Sequence, residues 1–182
     1  TPCTVTFAGG EQGSVSPGTV KIFPGQTLGD VLNQAPSVTP DSGYTHTGWL
    51  QTEGTTTLTN EQLLEQTITG GTTFTAQYST LYTVTVKGSH AATTGEGQYA
   101  AGDTVTINAG SHAGLTFKGW TVTPESVKLT NADSATTTFT MPAGNVTVTA
   151  NWASNEKIQV TPADIIIYIG GNSYAGVGDG RG

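Results

Sequence analysis

Three histidines are the side chains of this sequence best suited to metal binding or proton transfer. His46, His90 and His112 each carry an imidazole, which serves as a metal ligand or as an acid–base group near neutral pH. They fall on different predicted strands and loops, and none has a carboxylate at the spacing of a metal site. The pattern therefore predicts structural or solvated histidines and no metal ligand.

Carboxylates and hydroxyls offer two further kinds of catalytic group. Glu61 and Glu65 lie one helical turn apart, a spacing that the wet face of a helix explains. Ser89-His90 and Ser111-His112 are adjacent in sequence, which is not how the members of a catalytic triad meet, and no Gly-x-Ser-x-Gly elbow occurs. We predict no catalytic residue and no enzyme activity.

Three shorter motifs carry little information about function. Residues 176–180 are rich in glycine, but no Lys-Ser/Thr follows, so no phosphate loop and no cofactor is expected. Asn145-Val146-Thr147 fits a glycosylation sequon, which a bacterial protein would leave unused. Cys3 is the single cysteine, so it cannot form an internal disulfide, and we expect an ordinary residue at a strand edge.

The elements that position these side chains are organised around two matched segments, 43–50 and 114–121. Each contains a Gly-Trp pair, Gly48-Trp49 in the first segment and Gly119-Trp120 in the second. We predict that each tryptophan is a buried anchor and that each glycine marks a bulge before it. In the alternative, these tryptophans join Tyr44 and Tyr99 in an aromatic platform for a sugar.

The whole chain repeats around this pair. Residues 4–7 match residues 83–86, and residues 69–78 match residues 143–152 in register, so that Tyr78 and Trp152 are equivalent anchors. The offset between the copies is 79 at the first strand, 71 at the tryptophans and 74 at the end. Loops that vary between fixed strands produce such drift, and a repeat of this size indicates tandem modules.

The composition favours β structure and argues against several partners. The 36 threonines are β-branched and suit a pleated sheet, and 25 glycines and 8 prolines supply turns. The net charge is −7 with only 6 lysines and arginines, so we predict no nucleic-acid partner. No apolar run reaches the ~18 residues of a membrane span.

Local patterns predict individual elements. Leu28, Val31 and Leu32 have helical spacing after a capping threonine, which predicts a helix over residues 28–34. A second capped turn is predicted over residues 59–64, and the alternation at residues 105–109 predicts an extended segment there. Residues 14–23 are predicted to form one strand, interrupted at Pro17-Gly18.

The tail has a different composition. Residues 155–157 are polar and are predicted to form a linker, and residues 165–169 form an apolar run typical of a strand buried on both faces. We expect no further strand in the glycine-rich chain that follows. The tail is then either the opening of a third module or an addition to the sheet of the second.

The two copies resemble known repeats. Residues 4–7, 24–28, 43–44, 48–49 and 74–78 resemble the Listeria–Bacteroides repeat, the B-repeat of internalin surface proteins. Residues 82–86, 99–105, 117–120 and 139–148 look like its divergent form. The resemblance implies β-grasp, ubiquitin-like modules in tandem on bacterial surface or secreted proteins, without shared catalytic residues. This chain departs from the pattern by a longer stretch between residues 50 and 68 and by losing the helix of the second copy.

These observations together predict a mostly β or α+β protein. The expected units are a B-repeat-like β-grasp module over residues 1–79, a nearly all-β divergent module over 80–154, and a C-terminal β segment over 155–182. We predict a monomeric, non-catalytic module of a bacterial cell surface or cell wall protein, acting as a stalk, spacer or adhesin segment toward a host protein or glycan. The alternative is a carbohydrate-binding accessory module of a secreted multidomain enzyme.

Overall fold

The protein is mostly β, as the sequence predicts. The structure is a computed structural model that describes residues 1–155 and the backbone of residues 166–169 and 172–175. Strands account for 50% of it and helices for 5%.

The first copy is built on a mixed sheet. Strand β1 (Cys3–Ala8) pairs antiparallel with β3 (Thr19–Ile22) on one side and parallel with β7 (Thr72–Lys87) on the other. Strand β5 (Tyr44–Gln51) pairs antiparallel with β7 and with the short β6 (Thr57–Leu58). A separate ribbon joins β2 (Gly13–Ser16) to β4 (Ser37–Pro40).

The second copy uses the same strand β7. The C-terminal half of β7 pairs antiparallel with β8 (Gly97–Ala100) and parallel with β12 (Val146–Ser154). Strand β10 (Leu115–Thr123) completes this half by pairing antiparallel with β12, and β9 (Thr104–Asn108) forms a ribbon with β11 (Thr136–Thr140). One eight-stranded sheet therefore runs through both copies.

Two clusters of buried side chains draw on different halves of this shared strand, Phe74 and Ala76 for the first and Val84 for the second. Threonine and apolar residues alternate along the strands, so the apolar side chains face the core and most of the threonines face solvent, as in a sheet with one buried face. The first cluster contains Val5, Phe7, Ile22, Leu28, Trp49, Leu63, Ile68, Phe74 and Ala76. The second contains Val84, Val105, Ile107, Ala109, Trp120, Val127, Phe139, Met141, Val146, Val148 and Ala150. The clusters have no residue in common.

The helix predicted over residues 28–34 is wrong in length. Only a 3₁₀ turn over Leu28–Asp30 forms, and the Asp30 carboxylate accepts a hydrogen bond from the Thr27 amide at 2.8 Å. Leu28 is fully buried and Leu32 packs against the same core, but Val31 is 37% exposed, so the apolar face predicted for a longer helix is only partly used. Gly29 lowers the helix propensity of a segment too short to propagate a helix without packing.

Two other local predictions are confirmed. Helix α1 (Asn60–Leu64) begins at the Thr59 cap, where Thr59 and Gln62 form a reciprocal capping box, and Leu63 is buried. The segment predicted to be extended is strand β9. The interrupted strand predicted over residues 14–23 is instead two strands, since β2 pairs with β4 whereas β3 pairs with β1.

The tail contains one more strand than predicted. Strands β13 (Ile166–Ile169) and β14 (Asn172–Ala175) form an antiparallel two-stranded sheet of their own. The prediction that no strand follows residue 169 is therefore wrong, because residues 172–175 pair with residues 166–169. The predicted linker residues 156 and 157 and the glycine-rich segment 176–180 lie outside the described residues, and so do the side chains of β13.

Candidate functional site

The indole of Trp49 lies at the centre of the first cluster. It has no exposed surface, and its ring meets the edge of Phe7 at a centroid distance of 5.6 Å. Its Nε1 donates to the Oδ1 atom of Asn60 at 2.9 Å, so the one polar atom of the indole is satisfied by the first residue of α1. Trp49 therefore ties strand β5 to helix α1.

Trp120 has the corresponding place in the second cluster. It is 6% exposed, and its Nε1 donates to the carbonyl of Ser134 at 3.1 Å. No helix precedes β11 in this copy, so a backbone carbonyl replaces the asparagine side chain as acceptor. Because both indoles are buried, neither Trp49 nor Trp120 is available as part of a sugar platform.

Gly48 and Gly119 each lie at a register shift immediately before a tryptophan. The shift falls between His46 and Gly48 in β5, and between Phe117 and Gly119 in β10. The φ angles are 148° and 115°, which residues with a side chain rarely adopt. A Cβ on Gly48 would lie 2.4 Å from the Leu58 carbonyl oxygen, so strand β6 approaches too closely for any side chain.

Tyr78 and Trp152 close the two copies with similar hydrogen bonds. The Tyr78 hydroxyl donates to the carbonyl of Gly9 at 2.6 Å, and the Trp152 Nε1 donates to the carbonyl of Gly88 at 2.7 Å. Both side chains are partly buried. Each hydrogen bond therefore connects the last strand of a copy to the loop that follows the first strand of the same copy. Burial, together with the charge of Asp41, raises the pKa of the Tyr78 hydroxyl.

His46 occupies in the first copy the place of Phe117 in the second. The His46 ring contacts Trp49 at 5.2 Å and Tyr78 at 6.1 Å, both edge to face. Its Nε2 is buried without a hydrogen-bond partner, and burial lowers the pKa of the imidazole although a backbone interaction with Gly48 opposes the shift. The ring serves as an aromatic packing element and is held neutral.

The structure brings His90 and His112 together, although they belong to different loops. Their ring centroids are 4.4 Å apart, and His90 also meets the edge of Trp152 at 5.1 Å. The order and direction of the strands explain this contact, which local sequence patterns do not predict. Strand β10 is antiparallel to β12, which is parallel to β7, so the start of β10 and the end of β7 lie at the same end of the sheet.

The remaining candidate residues have structural surroundings. The Ser89 hydroxyl donates to the carbonyl of Asn108 at 2.7 Å, and the Tyr99 hydroxyl donates to the carbonyl of Gly95 at 3.0 Å. Asn145, the sequon residue, accepts a hydrogen bond from the Thr83 amide at 2.8 Å. Glu61 lies in the first turn of α1, where a backbone hydrogen bond lowers the pKa of its carboxyl.

No larger ligand-binding constellation occurs in the part of the chain that the structure describes. There, no three histidine, cysteine, aspartate or glutamate side chains come together. A groove of about 490 Å³ opens beside His46 and is lined by residues 34–38, Asn60, Glu61 and Leu64. Among the same described residues, the helices are too short and too polar to span a bilayer.

Two copies of one β-rich unit, each with a Gly-Trp bulge and a closing aromatic, define a tandem-repeat protein. The chain belongs to the divergent InlB B-repeat domain family, whose model matches residues 3–80 and again residues 82–156. Both copies thus match the divergent form that the sequence analysis assigned to the second alone. No curated protein and no solved structure matches the chain.

Proposed function

We propose that the chain is a non-catalytic, extracellular spacer of a bacterial surface protein, built from two modules that share a strand. The modules are residues 1–79 and 80–154. The observation that carries the proposal is the continuity of β7, whose 16 residues belong to both copies. A spacer holds its two ends at a set distance only if the junction between its modules is fixed. Independent domains, in contrast, usually meet at a flexible linker.

The order of the strands supports a β-grasp module in each copy. The first copy reads β3-β1-β7-β5-β6 and the second reads β8-β7-β12-β10. In both, an antiparallel pair is followed across the sheet by a parallel pair and then by another antiparallel pair. The helix that usually covers a β-grasp sheet is reduced to a 3₁₀ turn in the first copy, and strand β9 occupies this part of the sequence in the second.

Strand β7 has a hydrogen-bonded neighbour throughout the junction. Its pairing with β5 extends to Thr80, and its pairing with β8 begins at Leu81. No residue of the junction is left as unpaired loop. Bending the chain there would break ladder hydrogen bonds, so the junction resists bending.

The pairing registers give the displacement of the second module relative to the first, measured along β7. In the first copy Val5 lies beside Thr72, and in the second copy Val84, the equivalent of Val5, lies on β7 itself. Thr72 and Val84 are twelve residues apart on one strand. At about 3.3 Å per strand residue, each module therefore advances the array by ~40 Å.

The surface location in this proposal derives from the resemblance to internalin-type repeats and from the family match. It is tested by labelling intact cells of the source organism with an antibody against residues 1–155, beside a cytoplasmic marker. We expect labelling of intact cells without labelling of the marker. Labelling that requires lysis would contradict the proposal, and so would turnover in a screen of glycan and peptide hydrolase substrates.

A further inference from the structure

Two loops of the second copy place His90 and His112 next to each other. His90 lies in the loop after β7 and His112 in the loop before β10. Their ring centroids are 4.4 Å apart with an interplanar angle of 45°, and both side chains are exposed. The tilt is intermediate between that of a stacked pair and that of an edge-to-face pair.

One backbone hydrogen bond joins the two loops, and another closes a turn within the second loop. The His90 amide donates to the carbonyl of Ala109 at 2.8 Å, and the Leu115 amide donates to the carbonyl of His112 at 3.2 Å. Gly110 has a φ of 72°, and a Cβ there would lie 2.4 Å from the Ala91 nitrogen. The loops are therefore in direct contact, and the two imidazoles are placed by the backbone before any ligand arrives.

The protonation of His112 leaves one nitrogen free to act as a ligand. Its Nδ1 lies 2.8 Å from the carbonyl oxygen of Ala113. A carbonyl oxygen only accepts, so Nδ1 carries the proton and the neutral ring keeps an unshared pair on Nε2. A second hydrogen bond of this type orients most metal-binding histidines.

The separation of the rings fits chelation of one ion. With metal–nitrogen bonds of about 2.0–2.1 Å and ring centroids about 1.2 Å further out, two imidazoles on one ion have centroids about 4.5 Å apart at 90°, and about 5.2 Å apart at the tetrahedral angle of Zn²⁺. The observed 4.4 Å lies within about 1 Å of both values. Both side chains are exposed, so rotation about their torsions turns the ring nitrogens without moving the backbone.

We propose that His90 and His112 form a two-histidine binding site for a divalent late first-row transition metal ion, namely Cu²⁺, Ni²⁺ or Zn²⁺. Imidazole nitrogen suits these ions, whereas Mg²⁺ and Ca²⁺ prefer oxygen. Within residues 1–155 no third histidine, cysteine or carboxylate joins the pair, so water completes the coordination. The bound ion links the β7–β8 loop to the β9–β10 loop.

The test is a Zn²⁺ titration of the whole chain carrying Cys3→Ser, which removes the single competing thiol. Ring-proton NMR signals of the three histidines are followed together with calorimetry. We expect one ion per chain, with the His90 and His112 signals shifting at the same Zn²⁺ concentration and the His46 signal unchanged. MgCl₂ at the same concentrations shifts none of them.

Variants separate chelation from binding to single imidazoles. His90→Gln and His112→Gln each weaken Zn²⁺ binding about tenfold or more, because the second imidazole binds at a high effective concentration. His46→Phe, which removes a histidine outside the pair, changes the dissociation constant less than twofold. The proposal is overturned if the two signals saturate at different concentrations, or if each single variant weakens binding by less than threefold.

Discussion

The backbone amide of Leu81 donates to the carbonyl of Gly43 at 2.8 Å, one residue after β5 stops pairing with β7. The same bond occurs in the second copy, where the Asn155 amide donates to the carbonyl of Gly114 at 2.8 Å. Leu81 is also the first residue of β7 that pairs with β8. A single residue therefore closes one repeat and opens the next, which leaves no room for a linker.

The bulge at Gly48 is predicted to tolerate no side chain. Gly48→Ala places a methyl group 2.4 Å from the Leu58 carbonyl oxygen at a φ of 148°, so we expect a loss of about 3 kcal/mol in the free energy of unfolding. Gly70→Ala is the control, because a Cβ there meets nothing within 4 Å, and its effect should stay within about 0.5 kcal/mol. Urea unfolding followed by circular dichroism measures both.

The equivalent change in the second copy is predicted to be milder. A Cβ on Gly119 lies 3.2 Å from the Ala132 carbonyl oxygen, which belongs to a loop. Gly119→Ala should therefore cost about 1–2 kcal/mol in the same assay, mainly through its φ of 115°. Equal losses for Gly48→Ala and Gly119→Ala would show that close contact with β6 is not the cause.

Removing the buried indole of Trp49 is predicted to destabilise the first copy strongly. Trp49→Ala leaves a cavity and an unpartnered Asn60 side chain, so we expect a loss of about 3–5 kcal/mol. Phe23→Ala is the matched control, since Phe23 is 57% exposed, and it should be nearly neutral. A loss for Trp49→Ala no larger than that for Phe23→Ala would contradict the role of Trp49 as a core anchor.

His46 is predicted to make the stability of the first copy depend on pH. Its folded-state pKa lies below the ordinary value of 6.5, so the unfolded chain binds the proton at a higher pH than the folded chain. The stability that the neutral ring contributes is complete above pH 6.5, declines as the pH falls below 6.5, and stops declining below the folded-state pKa. His46→Phe, which copies Phe117, should remove this decline.

His46→Phe should also raise stability at neutral pH by about 1 kcal/mol, because the unpartnered Nε2 is lost. The reciprocal variant Phe117→His should introduce the same acid-dependent decline into the second copy. Thermal unfolding between pH 5 and pH 8 measures the difference between each variant and the parent chain. Parallel curves for the parent and His46→Phe would show that His46 is not the group responsible.

The sequence was sufficient to predict those elements whose signal is local or repeated. The capping box at Thr59 predicted α1, and the alternation around Val105 predicted β9. The matched Gly-Trp pairs predicted the repeat, which the family match confirms. Helical spacing at residue 28 failed as a signal because only Leu28 of that segment is fully buried, whereas Leu32 is partly buried and Val31 is 37% exposed.

Features that depend on pairing between distant strands could not be predicted in this way. The strand patterns on either side of Thr80 were each recognised, but their fusion depends on β5 and β8 pairing up to adjacent residues of β7. The contact between His90 and His112 likewise follows from the order of β7, β12 and β10 across the sheet. Local sequence gives neither relationship, because strand order is a property of the whole fold.

We claim that β7 fixes one module rigidly on the next, and double electron–electron resonance can measure the distance between the two modules. Spin labels are placed at Lys21 and Gln98 in a Cys3→Ser chain, with a Gly-Gly-Ser insertion between Thr80 and Leu81 as the control. Both sites are exposed. They occupy equivalent places in the two copies, because Lys21 pairs with Thr4, Gln98 pairs with Thr83, and Thr4 and Thr83 are matched residues of the repeat. We predict a narrow distance distribution centred at about 40 Å, which the insertion broadens. A distribution equally broad with and without the insertion would contradict the claim.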